Sequence, residues 1–552
     1  MSNRKSQGTR AVTVAALAAL TATTLVACSG NSGESDSVGQ GSASSTEHFG
    51  YLLDTPLVTS NAASEVGASS DTEALSGRLY PAVFVPGPSG QMIPNTDLAQ
   101  TQVLPGANRQ VVYTLAEEAT YSDGTPVTCT DFLLHYKAGV YDGLFGAHLP
   151  QADEVLRLDC EPGQKRFTVV FKENAGGRWR HLFEPGTVLP SHAIAAKAGL
   201  TVEELHLALE QDDMATLAEI APIWRDGFDL AAFDPTLQVS SGPFAIDRVG
   251  EQGEIVLVPN EHYHGDAPNP DTIVVWPRGT DARQLADEGA LRVADIRTGD
   301  VDWLNRDDPK NTLDLSEKVG DLTETLLLGD AGVFGSSWAR ESFAACVDQR
   351  AVAEVSSRVS GVTVPAVALH TLPHHDPLAP LLADVGDPHL GTDIERARQN
   401  AGMTVRIGYH APDERKAAMV EAIRTSCEPA GITVVDASEQ GWTLEDVTRV
   451  STGQWGQQVL VDGEIDAVLT AVDPMAEFGA ASARSSELAY LRKREEELWE
   501  SVPSIPLAAE PRRFVIDRTV GNVVMYTGLA GIGWNMDRWL SEDDGADADA
   551  GQ

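Results

Sequence analysis

The chain has 552 residues, enough for several domains or one large multi-lobed unit, and its 42% hydrophobic content allows a sizeable core. A formal charge of −41 at pH 7 sets up a field that repels nucleic acid and anionic lipid headgroups, which excludes both as ligands. The same acidity serves solubility, and residues 541–552, with Glu542, Asp543, Asp544, Asp547 and Asp549, read as a solvated, disordered tail.

The N-terminus follows the order of a secretory signal. Arg4, Lys5 and Arg10 give a positive start, and residues 11–26 are an uncharged run of apolar and small side chains. The run is short for a membrane span and polar sequence follows it, so residues 1–27 read as a cleaved signal peptide. It closes on Leu25-Val-Ala-Cys28. A cysteine directly after a small-residue cut site accepts the thioether lipid of a bacterial lipoprotein, so lipidation is expected at Cys28. Residues 28–45 are rich in Gly, Ser and Asn and read as a flexible tether. The expected location is the extracytoplasmic face of the cell membrane, with membrane contact through lipid alone.

Cys129, Cys160, Cys346 and Cys427 remain, an even number in an exported chain, which points to two disulfides. Three connectivities are open. The nearest-neighbour choice joins Cys129 to Cys160 and Cys346 to Cys427, and it suits lobes that must move. Two free buried thiols are the alternative for the second pair.

In chain order, residues 109–114 alternate as a strand. Residues 121–126 are dense in turn formers, and Thr128 with Asp131 forms a capping box that opens a helix. Strands are expected at 165–171, 254–258 and 271–276. The clearest strand–helix–strand unit is 404–435: an alternating strand, a helix starting at Pro412 and Asp413, a stripe of Met419, Ala422, Ile423 and Cys427, a stop at Gly431, and a second strand. Cys346 falls on another helix near Phe343. A charged helix over 487–500 places Leu491 and Leu498 inward, and Pro503 stops it.

Motifs that carry chemistry are missing. The sequence has no GxSxG elbow, no GxxxxGK loop, no HExxH and no GxGxxG after a strand. His262 with His264, and His374 with His375, lack an acidic residue at a helical metal-ligand spacing, so no metal site and no cofactor is expected. Of ten tryptophans, most read as core, and some suit an apolar cleft.

Four segments, in order, resemble the extracytoplasmic solute-binding proteins, family 5, of peptide and nickel ABC importers. Ala119-Thr-Tyr-Ser-Asp-Gly-Thr-Pro-Val-Thr-Cys-Thr-Asp131-Phe is similar to the family's W-S-D-G-x-P-[LV]-T-A-x-D-V. Gly242-Pro243-Phe244 with Asn260-x-x-Tyr263-x-Gly265 is similar to G-T-G-P-Y … N-x-x-Y-W-G. Ala339-Arg-Glu-Ser-Phe-Ala-Ala-Cys-Val-Asp348-Gln-Arg350 is similar to V-R-Q-A-L-x-x-A-I-D-R. Ser501-Val-Pro503-Ser-Ile-Pro506-Leu507 is similar to A-P-x-[IV]-P-L.

The resemblance implies an α/β, two-lobed periplasmic-binding-protein-like fold of type II, with an extra subdomain on lobe one. The implied division is lobe I at 46–85, 238–300 and 503–540, the extra subdomain at 86–237, and lobe II at 301–502. It implies a monomer that binds an oligopeptide-like solute between the lobes, performs no catalysis, and docks on an ABC permease. Peptide binders of the family hold the peptide amine with an aspartate in a segment like W-x-x-D-Y-x-D-P. The counterpart here, Asp466-Ala-Val-Leu-Thr-Ala-Val-Asp473-Pro474, lacks the tryptophan and the aromatic. Asp473, Asn61, Trp303 (after Gly299-Asp-Val-Asp302) and Trp534 are the candidate ligand contacts. A subgroup of actinobacterial lipoproteins uses this fold to control envelope lipoglycan synthesis, and the shortened stretch after Asp473 fits such a non-transport role as the alternative function.

Overall fold

A computed structural model describes residues 49–88, 90–299, 301–304, 309–452, 457–479 and 487–541. The signal peptide, Cys28, the tether and residues 542–552 of the acidic tail lie outside the described residues. Among the described residues no helix is long and apolar enough to cross a membrane.

The molecule is organised on one ten-stranded sheet. In chain order its strands are β1 (Phe49–Leu53), β2 (Phe244–Val249), β3 (Ile255–Pro259), β4 (Ile273–Trp276), β5 (Leu291–Ile296), β6 (Leu313–Leu328), β7 (Thr404–Gly408), β8 (Thr433–Asp436), β9 (Ala467–Val472) and β10 (Ser504–Asp517). Their spatial order is β8-β7-β9-β6-β10-β5-β1-β4-β3-β2. The two long strands β6 and β10 are antiparallel neighbours that pair in two stretches, residues 313–319 with 511–517 and 323–327 with 504–509. The fold is thus the two-lobed α/β arrangement that the resemblance implies.

The pairing of β6 with β10 is irregular in two places, between Val319 and Thr323 and between Glu324 and Thr325. Pro511 and Pro506 stand at these breaks. Proline has no N–H for a ladder bond, so a central strand that carries it loses pairing there. At the first break Gly320 lets the strands approach, since a Cβ on it would lie 2.8 Å from the Glu510 carbonyl oxygen. These irregularities mark where the lobes can pivot.

In lobe I, Phe49 and Tyr51 of β1 pack on Trp539 with ring centroids 5.4 and 5.2 Å away. A separate antiparallel four-stranded sheet occupies part of the expected extra subdomain, ordered Ala99–Leu104, Gln110–Leu115, Arg166–Phe171, Val155–Asp159. Helix Cys129–Val140 packs beside it and begins with the Thr128–Asp131 capping box. Cys129, the first residue of that helix, is bonded to Cys160, just past the edge strand.

In lobe II, β7, helix Glu414–Cys427 and β8 form the parallel strand–helix–strand unit. Asp413 caps the helix by accepting the Lys416 N–H at 2.9 Å, and Gly431 turns the chain with φ of +75°. Met419, Ile423 and Cys427 are buried on its inner face. Cys427 is bonded to Cys346, so the nearest-neighbour connectivity holds for both pairs. The bridged residues are 81 positions apart, and closing a loop of that length in the unfolded chain stabilises the fold by about 4.5 kcal/mol. Each bridge lies within one lobe and leaves the pivot unconstrained.

Candidate functional site

A cleft lined by both apolar and charged side chains separates the lobes above the pivot. From lobe I its wall comes from the short helices Glu65–Ser69 and Glu73–Ser76, and from residues 148–151 and 181–187. From lobe II it comes from the end of β9 and the helix Pro474–Phe478. Asp473-Pro474 makes that corner: proline suits the first helical turn, and the Asp473 carboxylate accepts the N–H groups of Met475 and Ala476 at 2.8 and 3.2 Å. Its volume is about 80 Å3, room for about three waters.

Polar contacts hold the lobes against each other around this cavity. Arg178, anchored by Glu154 at 2.7 Å, donates to the carbonyl oxygens of Ala476 at 2.6 Å and Glu477 at 3.3 Å. These carbonyls end the helix Pro474–Phe478, where a cation is favoured. Gln151 donates to the same Ala476 oxygen at 2.6 Å. His148 Nε2 meets the Glu477 carboxylate at 2.8 Å, and Arg449 binds both oxygens of Glu65 at 2.7 and 2.8 Å.

Beneath the cleft, at the pivot, lies a buried ion network. Arg297 joins Asp71 and, at 3.0 Å, Glu510. Arg512 joins Glu510 at 3.1 Å and Asp295, while Arg415 joins Glu324. Arg278 bonds Asp54 at 2.9 Å and reaches the His410 carbonyl oxygen across the lobes at 3.2 Å. Burial favours a neutral Asp71, yet the Arg297 charge outweighs it and holds the carboxyl below the usual range.

The cleft itself is acidic. Burial pushes the Glu73 carboxyl well above the carboxylate range, and Glu184, Asp473 and Asp71 add to the effect. Burial opposes charge on His148 and His181, but Glu477 and Glu184 more than offset it, so both imidazoles are raised. Among the described residues no group of three or more His, Cys, Asp or Glu side chains is placed to hold a metal ion.

The four residues singled out from sequence do not converge. Asp473 lines the cleft while capping its helix. Trp534 is half-buried, donates its indole N–H to the Val524 carbonyl at 2.8 Å, and lines a small crevice behind Glu73 rather than the cleft. Asn61 is fully buried; its amide donates to the Trp224 carbonyl at 2.9 Å and accepts the Ala63 N–H at 3.0 Å, so its polar groups are used within lobe I. Trp303 is partly buried against the core cluster that includes Leu52, Leu285 and Val515, and does not line the cleft. Glu73, Glu184, His148 and His181 carried no motif and were not singled out.

The sequence pattern of the bacterial extracellular solute-binding proteins, family 5 (middle), matches residues 94–474. The chain belongs to this family. As a family-5 solute-binding protein it binds and does not catalyse. A curated relative, an uncharacterized lipoprotein of Mycobacterium tuberculosis, is 28% identical over 96% of this chain and 97% of its own length. A second, from Mycobacterium leprae, is 28% identical over 90% of this chain and 94% of its own. Among solved structures, the periplasmic EDTA-binding protein EppA superposes with a TM-score of 0.62 at 16% identity, covering 91% of this chain and 98% of that one. The oligopeptide-binding protein of Thermus thermophilus, complexed with a pentapeptide, gives 0.62 at 13% identity, covering 90% and 97%. These likenesses establish the fold of the family-5 protein.

Proposed function

We propose that this protein is an extracytoplasmic lipoprotein, anchored through Cys28, that closes its lobes on an oligopeptide-like solute and delivers it to an ABC permease. The observation that carries the reading is the cleft between two lobes joined by a pair of adjacent, irregular strands. Such a strand pair permits rigid-body closure, and closure encloses ligand away from water. The family membership and the lipoprotein relatives support both the binding role and the anchor.

Cleft size refines the solute. About 80 Å3 encloses one end group of a solute, not an extended peptide. A longer chain requires the lobes to part further. The test is thermal unfolding of the purified protein with peptides of graded length. A ligand at ~100-fold excess over its Kd adds about 2.7 kcal/mol, and the shortest peptides are expected to give the full effect. A flat response across a diverse library refutes the receptor role and leaves the envelope-regulatory alternative.

A further inference from the structure

Just before β9 the chain forms a two-stranded hairpin apart from the main sheet, Arg449–Thr452 with Gln458–Val461. The pairing is antiparallel and unbroken, with Arg449 opposite Val461 and Val450 opposite Leu460. Its base is fixed: Arg449 binds both Glu65 oxygens across the cleft and also donates to the Leu444 and Val447 carbonyl oxygens. The two edges of the hairpin differ. The Arg449–Thr452 edge is covered, since the Val450 N–H donates to the Asp330 carboxylate at 2.7 Å and helix Asp142–Phe145 lies against this strand.

The Val450 N–H therefore points away from the partner strand, so Val450 and Leu460 form a pair that exchanges no ladder bonds. The N–H and C=O of Leu460 point outward from the other edge, and by the period of two so do those of Gln458. Among the described residues no third strand and no other backbone group pairs with them. Leu460 is 63% exposed, the most of any large hydrophobic side chain among the described residues, and Val450 and Val459 are 37% and 41% exposed. Proteins blunt a free edge with charge, proline or a bulge. Gln458-Val-Leu-Val461 carries none of these, and a two-stranded sheet left alone is marginal in water.

The charge around the edge restricts what completes it. Asp462 and Glu464 follow the strand directly and are exposed, and Glu445 stands at the hairpin base. Among the described residues none of the three forms an ion pair. The cations beside them are committed, Arg449 to Glu65 and Arg406 to Asp466. A second copy of this chain brings the same acids and a charge of −41 against itself, and an anionic membrane is repelled likewise. The complement is a cationic chain.

We propose that the outer edge of Gln458–Val461 is a docking strand for another protein. It takes an extended segment as a third strand: a short run of apolar, β-branched residues with lysine or arginine at the end that meets Asp462 and Glu464. The outward groups of Gln458 and Leu460 supply the ladder, Leu460 and Val459 meet alternate side chains on opposite faces, and the acids set the direction of the segment.

Fluorescence anisotropy on the purified chain tests it with labelled peptides, acetylated and amidated, that carry a Val-Thr-Val-Thr core and two lysines at one end or the other. The orientation whose lysines reach Asp462 and Glu464 is expected to bind, and the same peptide with glutamates for lysines is not. Leu460→Pro removes an outward N–H that the hairpin itself does not use, and is expected to weaken binding by about tenfold. Leu460→Lys keeps that N–H, guards against a variant that fails to fold, and is expected to weaken binding by repelling the lysines. Affinity unchanged in both variants overturns the proposal, because the peptide then sits elsewhere, the cleft included. Equal binding of the glutamate peptide overturns it. So does a dimer in sedimentation that Leu460→Lys dissolves, or attachment to phosphatidylcholine vesicles that the same change abolishes.

Discussion

Glu495 is a single buried carboxylate on which one corner of lobe II depends. It lies in helix Leu488–Ser501 and is fully buried. One oxygen accepts the backbone N–H and the Nδ1–H of His370, each at 2.8 Å. The other accepts the N–H and the hydroxyl of Thr371 at 3.1 and 2.9 Å. His370 Nε2 in turn faces the Ser504 carbonyl oxygen at 3.1 Å, so both ring nitrogens face acceptors. Helix, loop and the start of β10 are thereby joined.

Glu495→Gln keeps the shape but turns an NH2 group against two donors, whichever way the amide faces. It also replaces the carboxylate that faces the His370 ring nitrogen. Breaking a buried pair of this kind costs about 3–5 kcal/mol. Urea unfolding followed by circular dichroism measures it as a lower midpoint at unchanged slope. Burial raises the Glu495 carboxyl, but His370 and its hydrogen bonds outweigh this and hold it below the usual range. A depressed carboxylate contributes stability above its unfolded pKa and loses it as pH falls through the folded value. The gap between parent and variant is therefore expected to close on acidification. A loss below about 1 kcal/mol at neutral pH, set against that 3–5, or a gap that widens in acid, refutes the reasoning.

Two further outcomes concern closure. Arg178→Met removes the charged donor from the Ala476 and Glu477 carbonyls; a hydrogen bond of this type contributes about 1.5–3 kcal/mol, so small-angle scattering should show a more open molecule. The His148–Glu477 contact should depend on pH at both ends. His148 is raised, so its contribution is full below the unfolded imidazole pKa and is lost as pH rises through the folded value; Glu477 is lowered, so its contribution is lost as pH falls through its own. Scattering across pH 3–9 should find the molecule most compact in the middle, and His148→Ala should flatten the profile.

Much of the architecture was readable because it is local. The Thr128–Asp131 capping box, the helix opened by Asp413 and the stop at Gly431 each depend on residues a few positions apart. The four family-like segments implied the two-lobed fold, and both cysteine pairs follow nearest-neighbour spacing. The cleft was less readable because its contacts are remote: His148 and Glu477 are 329 residues apart, and Arg449 and Glu65 are 384 apart. Glu73 stands in an unremarkable Asp-Thr-Glu run, and what sets it apart, burial within the field of other acids, exists only in three dimensions. Asn61 and Trp303 show the converse. Their positions resemble those of ligand contacts, but the folded chain uses one as an internal hydrogen-bonding group and the other as core.

The place of β10 in the sheet has a consequence for how the protein is made. β5 is paired on one side by β1 and on the other by β10, and the bond between Asp295 and Arg512 joins residues 217 positions apart. A chain that emerges N-terminus first presents β5, an apolar strand, long before its second neighbour exists. Until residue 517 has emerged, that edge stays open, and open apolar edges recruit other chains. Assembly of the first lobe is therefore among the last events of export, and the interval before it is when the protein most needs a holding chaperone.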